Sequence, residues 1–84
     1  MNDREFLILR NLLSALNECG DYLLPQQQLQ AEVALSTPRL SATEFDEALA
    51  NADAKRLVTA IDGERGRKFK LNDHGRAWLA EHRV

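Results

Sequence analysis

Basic side chains are concentrated in one short stretch of this 84-residue sequence. Residues 1–54 carry three basic and nine acidic groups, whereas residues 55–70 carry six basic and two acidic groups. Clustered Lys and Arg side chains neutralise phosphates, so this stretch is typical of a surface that contacts a nucleic-acid backbone. Lys68 and Lys70 also fit another explanation, because exposed edge strands carry Lys to prevent pairing with another chain. The six basic residues are Lys55, Arg56, Arg65, Arg67, Lys68 and Lys70.

The residues able to do covalent or acid–base chemistry form no catalytic set. Cys19 has no base beside it in the sequence, and a thiol needs such a neighbour to become a nucleophile. His74 and His82 are eight residues apart, too far along one helix to bind a metal ion without further ligands. Asp46 and Glu47 are neighbours, which point in different directions on a helix. We therefore expect no enzymatic activity, no cofactor and no metal site.

Composition limits the chain to one folded unit. Hydrophobic residues make up 44% and charged residues 29%, the net charge is −2, and there is one cysteine. This apolar content is typical of a globular chain, the length suits one domain rather than two, and a single cysteine excludes an internal disulfide. Because no run of 18 apolar residues occurs, we expect no membrane-spanning helix. We expect one cytoplasmic domain over residues 1–84.

Apolar spacing and turn residues predict the order helix, short strand, helix, helix, strand, strand, helix. Asn2 or Asp3 is expected to cap the first helix, and Gly20 follows its end. Asp62-Gly63, with Gly66 three residues on, predicts a hairpin connection between the last two strands. The predicted elements cover residues 3–18, 22–24, 25–35, 42–55, 57–61, 67–71 and 73–82.

The sharpest local signal marks the start of the third helix. Ser41-Ala42-Thr43-Glu44 matches a capping box, and Leu40 and Phe45 occupy the positions of a hydrophobic staple around the same cap. The predicted core includes apolar residues of every element. These are Phe6, Leu9, Leu13, Leu16, Leu29, Val33, Phe45, Leu49, Ala52, Ile61, Phe69, Leu71, Ala77 and Trp78, with Leu79 a further candidate.

This order of elements resembles a winged helix-turn-helix domain from Phe6 to His82. Residues 69–79, FKLNDHGRAWL, are similar to the segment between the wing and the last helix of MarR-like and PadR-like bacterial regulators. The resemblance implies an α+β, mainly α fold with a three-helix core, a β-hairpin wing and a C-terminal helix. It also implies that the second and third predicted helices form the helix-turn-helix pair.

The resemblance and the basic stretch together predict a DNA-binding domain with a regulatory role, in which the wing makes the main contacts. Arg39 would add a contact to the DNA backbone, and the amide of Asn51 could pair with an adenine edge. The predicted nucleic-acid-binding residues are Arg39, Asn51, Lys55, Arg56, Arg65, Arg67, Lys68 and Lys70.

An alternative follows from the acidic character of the third helix, which disfavours its entry into a groove flanked by phosphates. In this alternative the chain is a protein-interaction module without DNA binding, and Glu44 and Glu47 contact the partner. Pairing of two copies through the first or last helix is compatible with both hypotheses, and exposure of Leu7, Leu12 or Leu79 would support it.

Overall fold

The computed structural model describes residues 2–20, 22–64 and 66–82. Within these ranges the chain forms four helices and one three-stranded antiparallel sheet, which confirms the expected α+β, mainly helical class and the predicted order of elements. The elements are α1 (Asp3–Glu18), β1 (Leu24–Pro25), α2 (Gln26–Ser36), α3 (Ala42–Ala54), β2 (Val58–Gly63), β3 (Gly66–Leu71) and α4 (Asp73–Glu81). None of the described helices is long and apolar enough to cross a membrane.

The helix ends follow the predicted capping chemistry. Asn2 accepts a hydrogen bond from the Glu5 backbone amide at 2.7 Å, and Gly20 adopts a left-handed conformation (φ +64°) just beyond the C-cap of α1. Ser41 and Glu44 form both hydrogen bonds of the capping box at the start of α3. These caps satisfy backbone amides that have no partner within the helix, and they fix where each helix begins.

Strand β3 is the centre of the sheet. The strand order is β1-β3-β2, and both neighbours are antiparallel to β3. Leu24 of β1 lies opposite Phe69, and Val58 of β2 lies opposite Leu71. The predicted β2–β3 hairpin is present, but its strands extend to the pair Gly63–Gly66, so Asp62 and Gly63 belong to β2 rather than to the connection.

Helix α1 lies at the centre of the core, where it packs against α2, α3, α4 and β3. Five of its residues are buried: Ile8, Leu9, Leu12, Leu13 and Leu16. Phe45 of α3 and Phe69 of β3 are the largest fully buried side chains. The predicted core positions Leu29, Val33, Leu49, Ala52 and Leu71 are also buried.

Four details of the predicted core are wrong or need refinement. Phe6 is only partly buried, and its ring lies against Trp78 and His82. Ile61 is 46% exposed. Val58 is buried against the core, and because side chains alternate along a strand, Ala60 shares its inward face and Ile61 lies on the opposite face of β2. Ala77 is exposed, because α4 turns Gly75 and Leu79 towards the core instead. Trp78 is partly buried and packs against the core.

The exposure that would support pairing of two copies is not present. Leu12 and Leu79 are buried within the chain, and Leu7 is partly buried. Their apolar surface is already used in the packing of α1 and α4, so these positions offer no support for a homodimer.

Gly75 lies where α4 approaches the backbone before β2 most closely. A Cβ atom at this position would lie 2.1 Å from the Leu57 carbonyl oxygen and 2.5 Å from Leu71 Cδ1. The Gly75 amide also donates to the side chain of the N-cap residue Asn72 at 2.8 Å. The spacing of Phe69, Leu71, Asn72 and Gly75 thus has a structural explanation: two core residues, a helix cap and a close approach.

We predict that Gly75→Ala destabilises the fold, although alanine usually stabilises a helix relative to glycine. The added methyl group cannot fit without moving backbone, so the free energy of unfolding should fall by about 2 kcal/mol or more. Urea unfolding followed by circular dichroism measures this change. His74→Ala, at the exposed neighbouring position, is the control and should change stability by less than about 0.5 kcal/mol. An unchanged or raised stability of Gly75→Ala would contradict the close approach.

Candidate nucleic-acid interface

The basic residues of β3 lie on two opposite faces of the hairpin. Phe69 is buried and faces the core, and Arg67, two residues earlier, shares that face. The Arg67 guanidinium lies 6.0 Å from the centroid of the Phe69 ring. Lys68 and Lys70 therefore point to the other side, which we call the outer hairpin face and which also carries Ile61 and Thr59 of β2.

The two faces differ in how their positive charge is compensated. Arg67 lies opposite Asp62, and its Nε donates to Asp62 Oδ1 at 2.9 Å. Lys68 lies between Ile61 and Pro25 of the neighbouring strands, and Lys70 lies opposite Thr59. Within the described ranges neither lysine forms an ion pair. The outer hairpin face therefore presents two uncompensated positive charges about 7 Å apart along the strand.

Lys55 and Arg56 lie at the base of the hairpin rather than beside its tip. Lys55 is the C-cap of α3, and Arg56 adopts a left-handed conformation (φ +56°) in the turn to β2. Asn72 Nδ2 donates to the Arg56 carbonyl oxygen at 2.7 Å, which holds this turn against the start of α4. A strand rise of about 3.4 Å per residue puts the two ends of β2 about 17 Å apart.

The remaining predicted contacts belong to other parts of the molecule. Arg39 is exposed in the α2–α3 turn with φ +59°, and Arg4 Nη2 donates to its carbonyl oxygen at 3.2 Å. Asn51 is partly exposed on α3, on the side of the sheet opposite the outer hairpin face. Arg65 lies outside the described residues. The predicted nucleic-acid-binding residues thus lie in four places: the hairpin, the base of the hairpin, α3 and the α2–α3 turn. Within the described residues, only Lys68 and Lys70 lie on the same face.

Polar side chains of α1 hold the α2–α3 turn in place. Asn11 Nδ2 donates to the hydroxyl of the buried Thr37 at 2.9 Å, and Arg4 Nη2 donates to the Pro38 carbonyl oxygen at 3.1 Å. Arg4 also forms an ion pair with Glu44 of α3. The N-terminal end and the middle of α1 are therefore bonded to the α2–α3 turn, and Arg4 also joins α1 to the first turn of α3.

The two acidic residues of the alternative hypothesis differ in availability. The Glu44 carboxylate accepts from Arg4 and from the Ser41 backbone amide, and these bonds lower the pKa of Glu44 to about 2. Its oxygens already serve the fold, so Glu44 is poorly placed to contact a partner. Glu47 is exposed on the same helix and has no ion-pair partner in the described part of the chain.

A groove between α3 and β3 is a feature that inspection of single residues missed. It has a volume of about 310 Å³, and Gln26 of α2 also lines it. The α3 residues that line the groove are three and four positions apart, so the sequence already places them on one face of the helix. The groove could not be recognised without the strand that forms its other wall. The residues that line it are Asp46, Leu49, Ala50 and Asp53 of α3, and Arg67 and Phe69 of β3.

The residues considered for catalysis are not gathered at one place. Cys19 is partly buried at the end of α1. The His82 ring stacks on Trp78 with centroids 4.2 Å apart, and its Nδ1 lies 2.7 Å from the Trp78 carbonyl oxygen. In the described ranges no three His, Cys, Asp or Glu side chains are grouped so that they could hold a metal ion.

Comparison with known proteins gives no match. No protein-family model matches the sequence, and no curated protein matches it.

We predict that the Arg4–Glu44 interaction makes the stability of the protein depend on pH in the acid range. The pKa of Glu44 is lowered from 4.5 to about 2 by folding, chiefly through its hydrogen bond with Arg4. The ionised Glu44 contributes its full stabilisation of the fold above pH 4.5. This stabilisation is lost as the pH falls towards about 2, because Glu44 is protonated in the unfolded chain at a higher pH than in the folded protein. Glu44→Gln should therefore melt at a lower temperature than the wild type at neutral pH, and this difference should shrink over that pH range.

Glu47→Gln is the matched control, because it removes an exposed carboxylate of α3 that has no ion-pair partner within the described residues. Its melting temperature should follow that of the wild type throughout. Arg4→Gln should reproduce much of the loss seen at neutral pH. A difference between wild type and Glu44→Gln that stayed constant from neutral pH to pH 2 would show that the ion pair does not contribute.

Proposed function

We propose that this chain is a winged helix-turn-helix domain that binds double-stranded DNA in a regulatory role, with its hairpin as the wing. The order of elements supports the fold assignment: α2 and α3 correspond to the helix-turn-helix pair, and α4 to the closing helix. The bonds from Arg4 and Asn11 to the α2–α3 turn support it further, because they fix α3 relative to α1.

The observation that carries the proposal is the outer hairpin face. Lys68 and Lys70 project from the same side of β3, where Pro25 of β1 and Ile61 of β2 lie opposite Lys68 and Thr59 of β2 lies opposite Lys70. Lys side chains that have no ion-pair partner within the described ranges gain free energy by replacing the counterions of phosphates. Lys55 and Arg56 would add separate positive charges at the base of the hairpin.

The charge of α3 determines the manner of binding. Asp46, Glu47 and Asp53 are exposed on this helix, and phosphates on both sides of a major groove would repel them. We therefore assign the main contacts to the hairpin rather than to α3. Because contacts to phosphates position a protein without selecting a base sequence, we expect DNA affinity with weak sequence preference.

We predict that Lys68→Gln with Lys70→Gln weakens binding to a fluorescein-labelled mixed-sequence duplex, measured by fluorescence anisotropy. Each lysine that neutralises one phosphate contributes about 0.9 to the slope of log K against log salt concentration, so the double variant should lose about 2 from that slope. The titrations should span about 50 to 200 mM salt, where phosphate contacts change affinity most measurably. Each single variant should lose about half as much.

The control is Arg10→Gln, which removes the same charge from α1. This variant should change the slope by much less than either lysine variant. Equal effects of Arg10→Gln and Lys68→Gln would mean that binding depends on net charge and not on the hairpin. If the wild type did not bind the duplex at low salt, or if the double lysine variant bound like the wild type, the proposal would be wrong.

A further inference from the structure

The α3–β3 groove, lined by α3 on one side and by Arg67 and Phe69 on the other, faces away from the outer hairpin face. The alternation of β3 establishes this arrangement, since Phe69 and Arg67 point into the groove and Lys68 points to the opposite side. A ligand in the groove would therefore not compete for space with DNA on the outer hairpin face.

The floor of the groove is apolar and firmly held. Leu49 is 7% exposed and Phe69 is 1% exposed, and both belong to the core cluster. Ala50, an exposed small residue, lies beside them and leaves room for a side chain. Ala50 is the part of this floor that a ligand can reach, and it suits the alkyl part of a Lys or Arg side chain, which can pack on apolar surface while its charged end reaches a polar group.

Two carboxylates flank this floor. Asp46 and Asp53 are seven residues apart on α3, which corresponds to about 10.5 Å along the helix. Both side chains are exposed, and neither has a hydrogen-bond or ion-pair partner in the described ranges. Among the described residues, the only positive charge that lines the groove is that of Arg67, which is already paired with Asp62.

We propose that the α3–β3 groove binds a basic segment of a partner protein, with Lys or Arg side chains that pack on Ala50 beside Leu49 and reach Asp46 and Asp53. Charge complementarity identifies this occupant, because the unpaired carboxylates attract cations and repel phosphates. The proposal does not depend on DNA binding.

The spacing of the carboxylates defines a probe. In the polyproline II conformation, which has three residues per turn and rises about 3.1 Å per residue, side chains three positions apart lie on the same face about 9 Å apart, close to the separation of Asp46 and Asp53. The probe is therefore a capped hexapeptide with two arginines separated by two small residues. The reference probe has glutamine in place of both arginines.

The test is a titration of the ¹⁵N-labelled full chain with each peptide, followed by amide chemical shifts. The arginine peptide should shift the amides of Leu49, Ala50 and Phe69, and the glutamine peptide should not. Asp46→Asn with Asp53→Asn should weaken binding of the arginine peptide by about tenfold, which corresponds to about 1.4 kcal/mol. Because both residues are exposed and unpaired within the described chain, the spectrum of the variant should otherwise remain that of the folded protein.

Glu47→Gln is the matched control, since Glu47 is an exposed carboxylate next to Asp46 that does not line the groove. It should change peptide affinity by less than about twofold. Equal binding of both peptides, shifts confined to other surfaces, or an equal loss with Glu47→Gln would overturn the proposal. Self-association of the wild type that disappears in the double aspartate variant would also overturn it, because the occupant would then be a second copy.

The two proposals fail independently. At physiological salt, Lys68→Gln with Lys70→Gln should leave binding of the arginine peptide unchanged, because these side chains lie on the outer hairpin face. Asp46→Asn with Asp53→Asn should not weaken binding to the duplex, since it only removes negative charge. If the aspartate variant lost both ligands, a shared surface would replace the two separate ones, and the groove proposal would be wrong.

Discussion

Burial of Phe69 and Leu71 in the central strand is the constraint on which the rest of the structure depends. The two side chains are each 1% exposed and lie against α1 and the neighbouring strands. Burial of side chains of this size stabilises a fold by roughly 1.5–3 kcal/mol each, a large fraction of the stability of so small a domain. The pairing of β3 with β1 and β2, and the start of α4 directly after it, are all set by this strand.

The same constraint determines where the charges of the hairpin lie. A shift of β3 by one residue would move Phe69 to solvent and bring Lys68 into the groove beside α3. The apolar burial lost in that shift exceeds anything that exposed ion pairs could return, since these contribute about 0–1 kcal/mol. The separation of an uncompensated outer hairpin face from a groove with two carboxylates is therefore a consequence of core packing.

Structural features that depend on neighbouring residues could be predicted from the sequence, and features that depend on contacts between distant residues could not. The capping box joins Ser41 to Glu44 within one helical turn, so its geometry follows from local chemistry. The wrong assignment of Ile61 has the opposite origin, because either face of a strand accepts an apolar residue until the contact of Val58 with the core fixes the alternation.

The candidate sites show the same limit. The partner of Glu44 is Arg4, forty residues away, and no spacing rule connects them. Lys68 and Arg67 are adjacent in the sequence but lie on opposite faces, so counting charges per segment overestimates the size of a single basic patch. Asp46 and Asp53 form a recognisable helical stripe, but only β3 turns that stripe into a groove.

The net charge of −2 describes neither the outer hairpin face nor the α3–β3 groove. Screening of charges by salt explains why these two surfaces can act separately. At physiological salt an exposed charge is screened over about 8 Å, and packed layers of secondary structure lie about 10 Å apart. A phosphate on the outer hairpin face therefore interacts mainly with Lys68 and Lys70, and a cation in the groove mainly with Asp46 and Asp53. At low salt the screening length grows to several times the thickness of the sheet, so each face then acts on the ligand of the other. A cationic segment in the groove would offset the repulsion that its carboxylates exert on DNA, and occupancy of one face would favour occupancy of the other without any change of conformation.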